Sequence, residues 1–125
     1  MATILIVDDE YLIADILGYA LEDEGYMAVT AGNGKRALEI LDRERPALVI
    51  TDFMMPGMNG LELAQRIRGN ESFCTVPILL MSGAQGSVGR ATPDLFAAVY
   101  DKPFDINQVV AKVRELVPLE PLKPL

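Results

Sequence analysis

Polar side chains follow four of the five short apolar runs in this 125-residue chain, at the point where each run ends. In chain order these side chains belong to Asp8, Asp9, Glu10, Asp52, Ser82, Asp101 and Lys102. Carboxylate oxygens with no His or Cys beside them favour a hard cation, and Mg²⁺ is the usual choice where phosphate is also present. A lone Lys can hold a phosphoryl oxygen, and a Ser hydroxyl can donate to another.

Each of these residues alone also has an ordinary explanation. Acids after strands are common because loops are solvated, so Asp8 or Glu10 taken singly indicates little. Asp9 could cap the first helix, and Ser82 before a glycine is typical of a turn. Only their joint placement at the ends of several strands favours a functional site.

The apolar runs and the segments between them predict an α/β fold with a doubly wound parallel sheet. The runs are continuous rather than alternating, which is typical of strands buried on both faces; they are Thr3–Val7, Met27–Ala31, Ala47–Thr51, Val76–Met81 and Ala97–Asp101. Amphipathic helices are predicted between them, the first with one apolar face made by Leu12, Ile13, Ile16, Leu17, Ala20 and Leu21. If the strand order is 2-1-3-4-5, the acids of the first and third strands meet at one edge of the sheet, flanked by the Ser and the Lys.

Two segments depart from this regular alternation. The stretch Ser82–Asp94 contains three Gly, one Pro and hardly any apolar face, which predicts a weak or mobile fourth helix. The Pro/Leu-rich residues 118–125 read as a tail or linker, so the folded domain is predicted over residues 1–117.

Composition disfavours several classes of function. The net charge of -7 argues against nucleic-acid binding by this domain, and the lack of any His makes a zinc site improbable. No apolar run is long enough for a bilayer, so no membrane association is expected. The lone Cys74 is compatible with a reducing compartment, and we expect a cytoplasmic protein.

Four segments together resemble the receiver domain of bacterial two-component response regulators. In chain order they read ILIVDDE, ITDFMMPGMNG, PILLMSG and DKPF, and the likeness extends from Thr3 to Val117. Each segment alone is a weak signal, whereas their order and spacing together are specific. The resemblance implies a flavodoxin-like (βα)₅ fold, in which five parallel strands in the order 2-1-3-4-5 carry helices on both faces.

The resemblance also implies a role for the residues at the predicted site. Asp52 matches the phosphoacceptor, Ser82 the hydroxyl that turns toward the phosphoryl group, and Lys102 the cation that contacts it. Pro103, which follows that Lys, is expected to have a cis peptide bond. Because this chain has no His, the phosphoryl group would come from a sensor histidine kinase or a histidine phosphotransfer protein.

The same resemblance implies a Mg²⁺ site. Asp9, Asp52 and the backbone carbonyl of Met54 match its direct ligands, and Asp8 matches an acid that often acts through water. Transfer to the acceptor would then alter the face around the fourth strand and the loop after it. By analogy, the surface between the fourth and fifth predicted helices would contact a downstream protein target or a second copy of the chain.

One residue departs from the family's pattern. An aromatic residue is usual three positions before the Lys, where it takes part in switching, and here that position is Val99. Tyr100 comes one residue later, and we expect it to point to the opposite face of the sheet.

The sequence thus predicts a phosphorylation-dependent signalling switch rather than an enzyme, and alternatives stay open. A Mg²⁺-dependent phosphohydrolase would need a further acid or base two residues past the nucleophile, where Met54 stands. A flavin-binding protein would need a phosphate-binding loop after the first strand, where three acids stand instead. A receiver-like interaction scaffold with weak or no phosphorylation switching is compatible with the valine at position 99.

Overall fold

The computed structural model describes residues 2–83, 90 and 92–119 of the chain. Strands and helices alternate along it, in the order β1 (Thr3–Val7), α1 (Tyr11–Asp23), β2 (Met27–Ala31), α2 (Gly34–Glu44), β3 (Leu48–Asp52), α3 (Gly60–Arg68), β4 (Ile78–Ser82), β5 (Ala98–Asp101) and α4 (Ile106–Leu116). The fourth helix was predicted within Ser82–Asp94, and residues 84–89 and 91 of that stretch lie outside the described residues. The tail predicted over residues 118–125 is described only for its first two residues.

All five strands are parallel and form one sheet in the order β2-β1-β3-β4-β5. The predicted strand order is therefore confirmed. The register pairs Val7 with Thr51, and Asp52 with Met81. Because the strands are parallel and closely in register, their carboxyl ends lie along one edge of the sheet, and the polar residues that follow β1, β3, β4 and β5 are brought to that edge.

Alternate residues of the central strands pack on opposite faces of the sheet. Leu5, Val49 and Leu80 belong to a buried cluster with α2 and α3, whereas Ile4, Ile50 and Leu79 belong to a cluster with α1 and α4. β3 and β4 are buried throughout, as expected for continuous apolar strands. Burial on both faces was wrong for β2, where Met27 and Thr30 are exposed because this strand forms an edge of the sheet.

The first helix buries a narrower face than its sequence suggested. Ala14, Leu17 and Leu21 pack against the sheet, whereas Leu12 is 66% exposed and Ile16 is 52% exposed. The prediction of a single buried apolar face was therefore wrong for these two residues. The helix is apolar around more of its circumference than the sheet can cover, and an apolar strip is left facing solvent. Among the described helices, none combines the length and apolar composition needed to cross a lipid bilayer.

Candidate functional site

The predicted site residues meet at the carboxyl edge of the sheet. Asp8 directly follows β1, Asp52 and Ser82 are the last residues of β3 and β4, and Lys102 directly follows β5. Asp8, Asp52 and Ser82 are only 1%, 3% and 0% exposed, so each polar side chain is held in the interior. Burial of polar groups costs free energy unless they are paired, which makes this edge unlike an ordinary solvated loop.

A single ammonium group, that of Lys102, lies within ion-pair distance of three carboxylates at this edge. Lys102 Nζ lies 3.1 Å from Asp52 Oδ1 and 3.9 Å from both Asp8 Oδ2 and Glu10 Oε1. The backbone of Lys102 is fixed from the neighbouring strand, because its N–H donates to the carbonyl of Ser82 at 2.7 Å. The Lys102–Pro103 peptide bond that follows is cis, the isomer expected there.

The connection between β3 and α3 positions Asp52 tightly. The Phe53 N–H donates to Asp52 Oδ1 at 2.9 Å, and the Thr51 hydroxyl donates to the Asp52 carbonyl at 2.9 Å. Gly60 begins α3 against this turn and donates its N–H to the Phe53 carbonyl at 2.8 Å. A Cβ atom at position 60 would collide with the Asp52 carbonyl oxygen, so only glycine permits this approach.

Two buried oxygens at the site accept or donate no hydrogen bond within the part of the chain that the structure describes. They are Asp8 Oδ2 and Ser82 Oγ. The other Asp8 oxygen is occupied, since it accepts the Glu10 N–H at 2.8 Å. A buried carboxylate oxygen that lacks a donor suits a hard cation, for which oxygen ligands are preferred. The residues present therefore fit a divalent cation such as Mg²⁺.

The electrostatics of the site follow from burial and from the single ammonium. Burial raises the pKa of Asp8 to about 6, although the hydrogen bond from Glu10 N–H opposes this shift. Burial also raises the pKa of Asp52, and the hydrogen bond and charge of Lys102 work against it. Burial alone would lower the pKa of Lys102, but its hydrogen bond to Asp52 and the nearby carboxylates raise it. Ionisation of all the acids at this site is therefore unfavourable unless a further cation is bound.

The cluster of carboxylates includes Glu10, which was not among the metal ligands predicted from the sequence. Oxygens of Asp8, Glu10 and Asp52 lie within 4.8 Å of one another, a spacing that can hold a metal ion. Asp9, the predicted direct ligand, is exposed and not in this group, although its charge contributes to the raised pKa of Asp52. Met54 lies in the loop after β3 with its side chain 59% exposed. Ligand roles for Asp9 and for the Met54 carbonyl stay predictions.

Comparison with known proteins identifies the family. Residues 4–114 match the family model described as the response regulator receiver domain. The chain belongs to this family. The match covers every residue named at the sheet edge, from Asp8 to Lys102, and receiver domains are signalling domains of two-component systems.

Individual relatives agree with this assignment. The chain is 35% identical over 117 residues to sporulation initiation phosphotransferase F of Bacillus subtilis, covering 94% of each protein. It is 34% identical to the phosphate regulon transcriptional regulatory protein PhoB of Pseudomonas aeruginosa, covering 92% of this chain but only 51% of PhoB. This receiver domain thus spans nearly all of one relative and about half of the other.

Solved structures share the fold. A response regulator from Chloroflexus aurantiacus superposes with a TM-score of 0.85 at 30% identity, covering 92% of this chain and 96% of that one. The response regulator TrrA of Thermotoga maritima, in complex with Mg²⁺ and BeF, gives 0.81 at 34% identity, covering 94% and 100%. These neighbours agree with the order of strands and the doubly wound architecture described above.

The receiver domain places Val99 and Tyr100 on opposite sides of β5. Val99 packs beside the cluster that includes Leu80 and Phe96, whereas Tyr100 packs beside the cluster of α1 and α4. This arrangement agrees with the alternation expected of adjacent strand residues. Tyr100 therefore does not fill the position where the family usually has an aromatic residue.

An apolar groove adjoins the carboxylates of the receiver domain. It has a volume of about 490 Å³ and lies between α1 and the connection from β5 to α4. Its apolar walls include Ile13, Ile16, Pro103 and Phe104, while Glu10 and Lys102 also line it. The sequence analysis missed this groove, because residues on α1 were expected to be buried against the sheet.

Proposed function

We propose that this receiver domain is a phosphorylation-dependent switch in which Asp52 accepts a phosphoryl group from a phosphohistidine. The donor would be a sensor histidine kinase or a histidine phosphotransfer protein. The observation that carries the proposal is a buried Asp52 carboxylate 3.1 Å from Lys102, beside the unsatisfied atoms Asp8 Oδ2 and Ser82 Oγ. An ordinary acid in a solvated loop has neither a fixed cation beside it nor buried polar atoms nearby that lack hydrogen bonds.

The chemistry needs alignment and charge neutralisation more than proton transfer. An Asp52 carboxylate oxygen attacks phosphorus, an O–P bond forms, the N–P bond breaks, and the imidazole of the donor leaves with its electron pair. The short, capped turn between Phe53 and Gly60 holds the attacking carboxylate in place. Lys102 lies close enough to Asp52 to contact a transferred phosphoryl oxygen.

Mg²⁺ is the cation that we propose for this site. Its candidate protein ligands are carboxylate oxygens of Asp8 and Asp52, with Asp9 and the Met54 carbonyl retained from the sequence prediction. When bound, Mg²⁺ would neutralise charge on the transferring group. Asp8 Oδ2 supports this assignment, because it is buried without a hydrogen-bond donor among the described residues and a cation would pair with it.

Ser82 gives the switch a physical basis. Its hydroxyl is fully buried and has no hydrogen-bond partner among the described residues. A phosphoryl group on Asp52 adds negative charge and strong acceptor oxygens nearby, and a charge-assisted hydrogen bond to this hydroxyl would be favourable. Any movement of Ser82 reaches β5 directly, because the Ser82 carbonyl accepts the Lys102 N–H. We propose that the signal leaves the site through this end of β4 and the loop after it.

The apolar strip on α1 supports docking of the phosphate donor. Leu12, Ile16 and Tyr19 are spaced four and three residues apart, which aligns them on one side of the helix, and all are exposed. The strip borders the groove that Glu10 and Lys102 share with the carboxylate site. A donor helix seated there would bring its phosphohistidine to Asp52, whereas the surface predicted for downstream targets includes residues outside those described.

The proposal is tested by incubating the protein with acetyl phosphate in the presence and absence of Mg²⁺ and measuring its intact mass. We expect one phosphoryl group to be added to the wild type only when Mg²⁺ is present, and none to Asp52→Asn. Equal labelling of Asp52→Asn would assign the acceptor elsewhere, and no labelling of the wild type by any phosphodonor would favour an interaction scaffold. Steady turnover of a phosphate ester would instead favour a phosphohydrolase.

A further inference from the structure

The Pro/Leu-rich residues 118–125 contain a repeat of three residues. They read PLEPLKPL, so that a proline, a leucine and a charged residue recur in that order. Proline-rich segments favour the polyproline II helix, which has three residues per turn. In that conformation every third residue lies on the same edge, and one edge is made of leucines alone: Leu119, Leu122 and Leu125. A polyproline II segment with an apolar edge is typical of a ligand for a groove that contains aromatic residues.

The first residues of this repeat pack against the connection between α1 and β2. α4 ends at Leu116, and the carbonyl of Val117 accepts a hydrogen bond from the Tyr26 hydroxyl at 2.6 Å. Tyr26 is buried at the start of β2, so this bond holds the end of α4 at the α1–β2 turn. Leu119 contacts the same turn, because a Cβ atom added at Gly25 would lie 3.1 Å from its Cδ1 atom. The leucine edge of the repeat therefore begins in contact with the domain.

A groove of about 420 Å³ lies at this contact, between the α1–β2 turn and α4. Its lining includes Tyr26 and Ala111, together with the first two residues of the repeat. The two elements are also joined by an ion pair, in which Arg114 Nη1 lies 3.3 Å from Glu24 Oε2, and both of these residues line the groove. The groove thus has an aromatic residue on one side and a helix on the other.

We propose that residues 120–125 dock in this groove of their own chain, with the leucine edge toward the domain and the charged edge toward solvent. The position of Leu119 supports this occupant, because the segment starts within the groove and needs no connection to reach it. A polyproline II helix rises about 3.1 Å per residue, so Leu122 would follow Leu119 at about 9 Å along the same edge. Leu122 is therefore the next apolar contact.

The docked segment would act away from the acidic site. The α1–β2 turn precedes β2, so it lies at the amino edge of the sheet, whereas Asp52 and Lys102 lie at the carboxyl edge. The inference is therefore independent of the proposed function, and phosphorylation plays no part in its test. Docking would extend the folded unit beyond Val117 and would fix the direction in which the chain leaves the receiver domain.

Nuclear magnetic resonance relaxation of the full-length, ¹⁵N-labelled chain tests the docking directly. We expect the backbone order parameters of Leu122 and Lys123 to be close to about 0.85, the value typical of rigid backbone. A free end gives order parameters below about 0.6. Values below about 0.6 from Glu120 onward in the wild type would overturn the proposal.

Leu122→Ser and Lys123→Ser form a matched pair, since one alters the leucine edge and the other the charged edge of the same segment. We expect Leu122→Ser to lower the order parameters after Leu119 to those of a free end and to shift the amide signals of Tyr26 and Arg114. Lys123→Ser should retain the order parameters and the amide signals of the wild type. Equal behaviour of the two variants would overturn the role of the leucine edge.

Ala111→Glu alters the groove and leaves the segment unchanged. Ala111 is exposed on α4, and Glu is a good helix former, so the fold should tolerate the substitution, which circular dichroism checks. We expect this variant to release residues 120–125 as Leu122→Ser does, and retained order would overturn the choice of groove. The wild-type order parameters should be the same in dilute and concentrated samples. Order that appears only on concentration would indicate docking on a second copy and overturn docking within one chain.

Discussion

Lys102 Nζ lies 3.1 Å from Asp52 Oδ1, although Asp52 ends β3 and Lys102 follows β5, two strands that are separated by β4 in the sheet. The contact spans β4, and the last residue of that strand, Ser82, binds the backbone of Lys102. The Lys102 side chain therefore links the charge of Asp52 to the start of the β5–α4 connection, and the Lys102 backbone links that connection to the end of β4.

Asp8→Asn should stabilise the metal-free protein near neutral pH while abolishing its divalent-cation binding. The pKa of Asp8 is raised from 3.8 to about 6, so folding favours the protonated carboxyl. As pH rises through this interval, the unfolded chain releases its proton first, and the wild type loses stability relative to the variant. The advantage of Asp8→Asn should be near zero below pH 3.8 and reach about 3 kcal/mol above pH 6.

Urea denaturation of both proteins at a series of pH values in EDTA measures this difference. Repeating it with saturating Mg²⁺ should remove the advantage of the variant, because the ion binds only the wild type and stabilises its native state. A difference that does not change with pH would contradict the assignment of Asp8 as a strained, buried acid.

Ser82→Ala should leave the unphosphorylated fold intact or stabilise it by about 1 kcal/mol, because the hydroxyl is buried without a partner among the described residues. We expect beryllofluoride, which mimics a phosphoryl group, to slow amide exchange at the end of β4 in the wild type but not in Ser82→Ala. Ser72→Ala, at an exposed serine outside the site, is the control and should behave as the wild type. A large loss of stability in Ser82→Ala would show that the hydroxyl is structural.

Gly60→Ala should destabilise the protein by about 2 kcal/mol, since its Cβ would collide with the Asp52 carbonyl and force α3 away from β3. Urea denaturation measures the change, and labelling by acetyl phosphate should slow because the acceptor is displaced. Gly69→Ala is the matched control, as a Cβ there makes only ordinary contact with the Gln65 carbonyl. Equal stability of the two variants would refute the steric account of the β3–α3 turn.

The double variant Leu12→Ala, Ile16→Ala should lower the rate of phosphotransfer from a histidine phosphotransfer domain by about tenfold or more, because apolar anchors at an interface often contribute over 1 kcal/mol. Both side chains are exposed, so the fold should not suffer. Labelling by acetyl phosphate, which needs no docking surface, should be unchanged. Met27→Ala, exposed on the β2 edge, is the control. Parallel loss with both donors would indicate damage to the site instead of docking.

The strand order and the meeting of acids at one edge could be predicted because they depend on backbone rules. Parallel strands end on one edge, and continuous apolar runs such as that of β3 identify buried strands. Asp8, Asp52, Ser82 and Lys102 meet as expected, since each directly ends or follows a strand. These inferences required only the positions of strand ends.

Side-chain direction was harder to predict. Glu10 seemed an ordinary loop acid, and only the start of α1 at Tyr11 turns it toward Lys102. The exposure of Leu12 and Ile16 depends on how α1 rolls on the sheet, which helical periodicity alone does not determine. An apolar face that is wider than the sheet can cover does not indicate which part of it is buried.

The identity of the acceptor is the central claim, and chemical trapping tests it most directly. After incubation with acetyl phosphate and Mg²⁺, borohydride reduces an aspartyl phosphate to homoserine, which peptide mass spectrometry can locate. We predict homoserine at position 52 in the wild type, with Asp8 and Asp9 unmodified. Homoserine at another aspartate, or phosphoryl label retained in Asp52→Asn, would contradict the account.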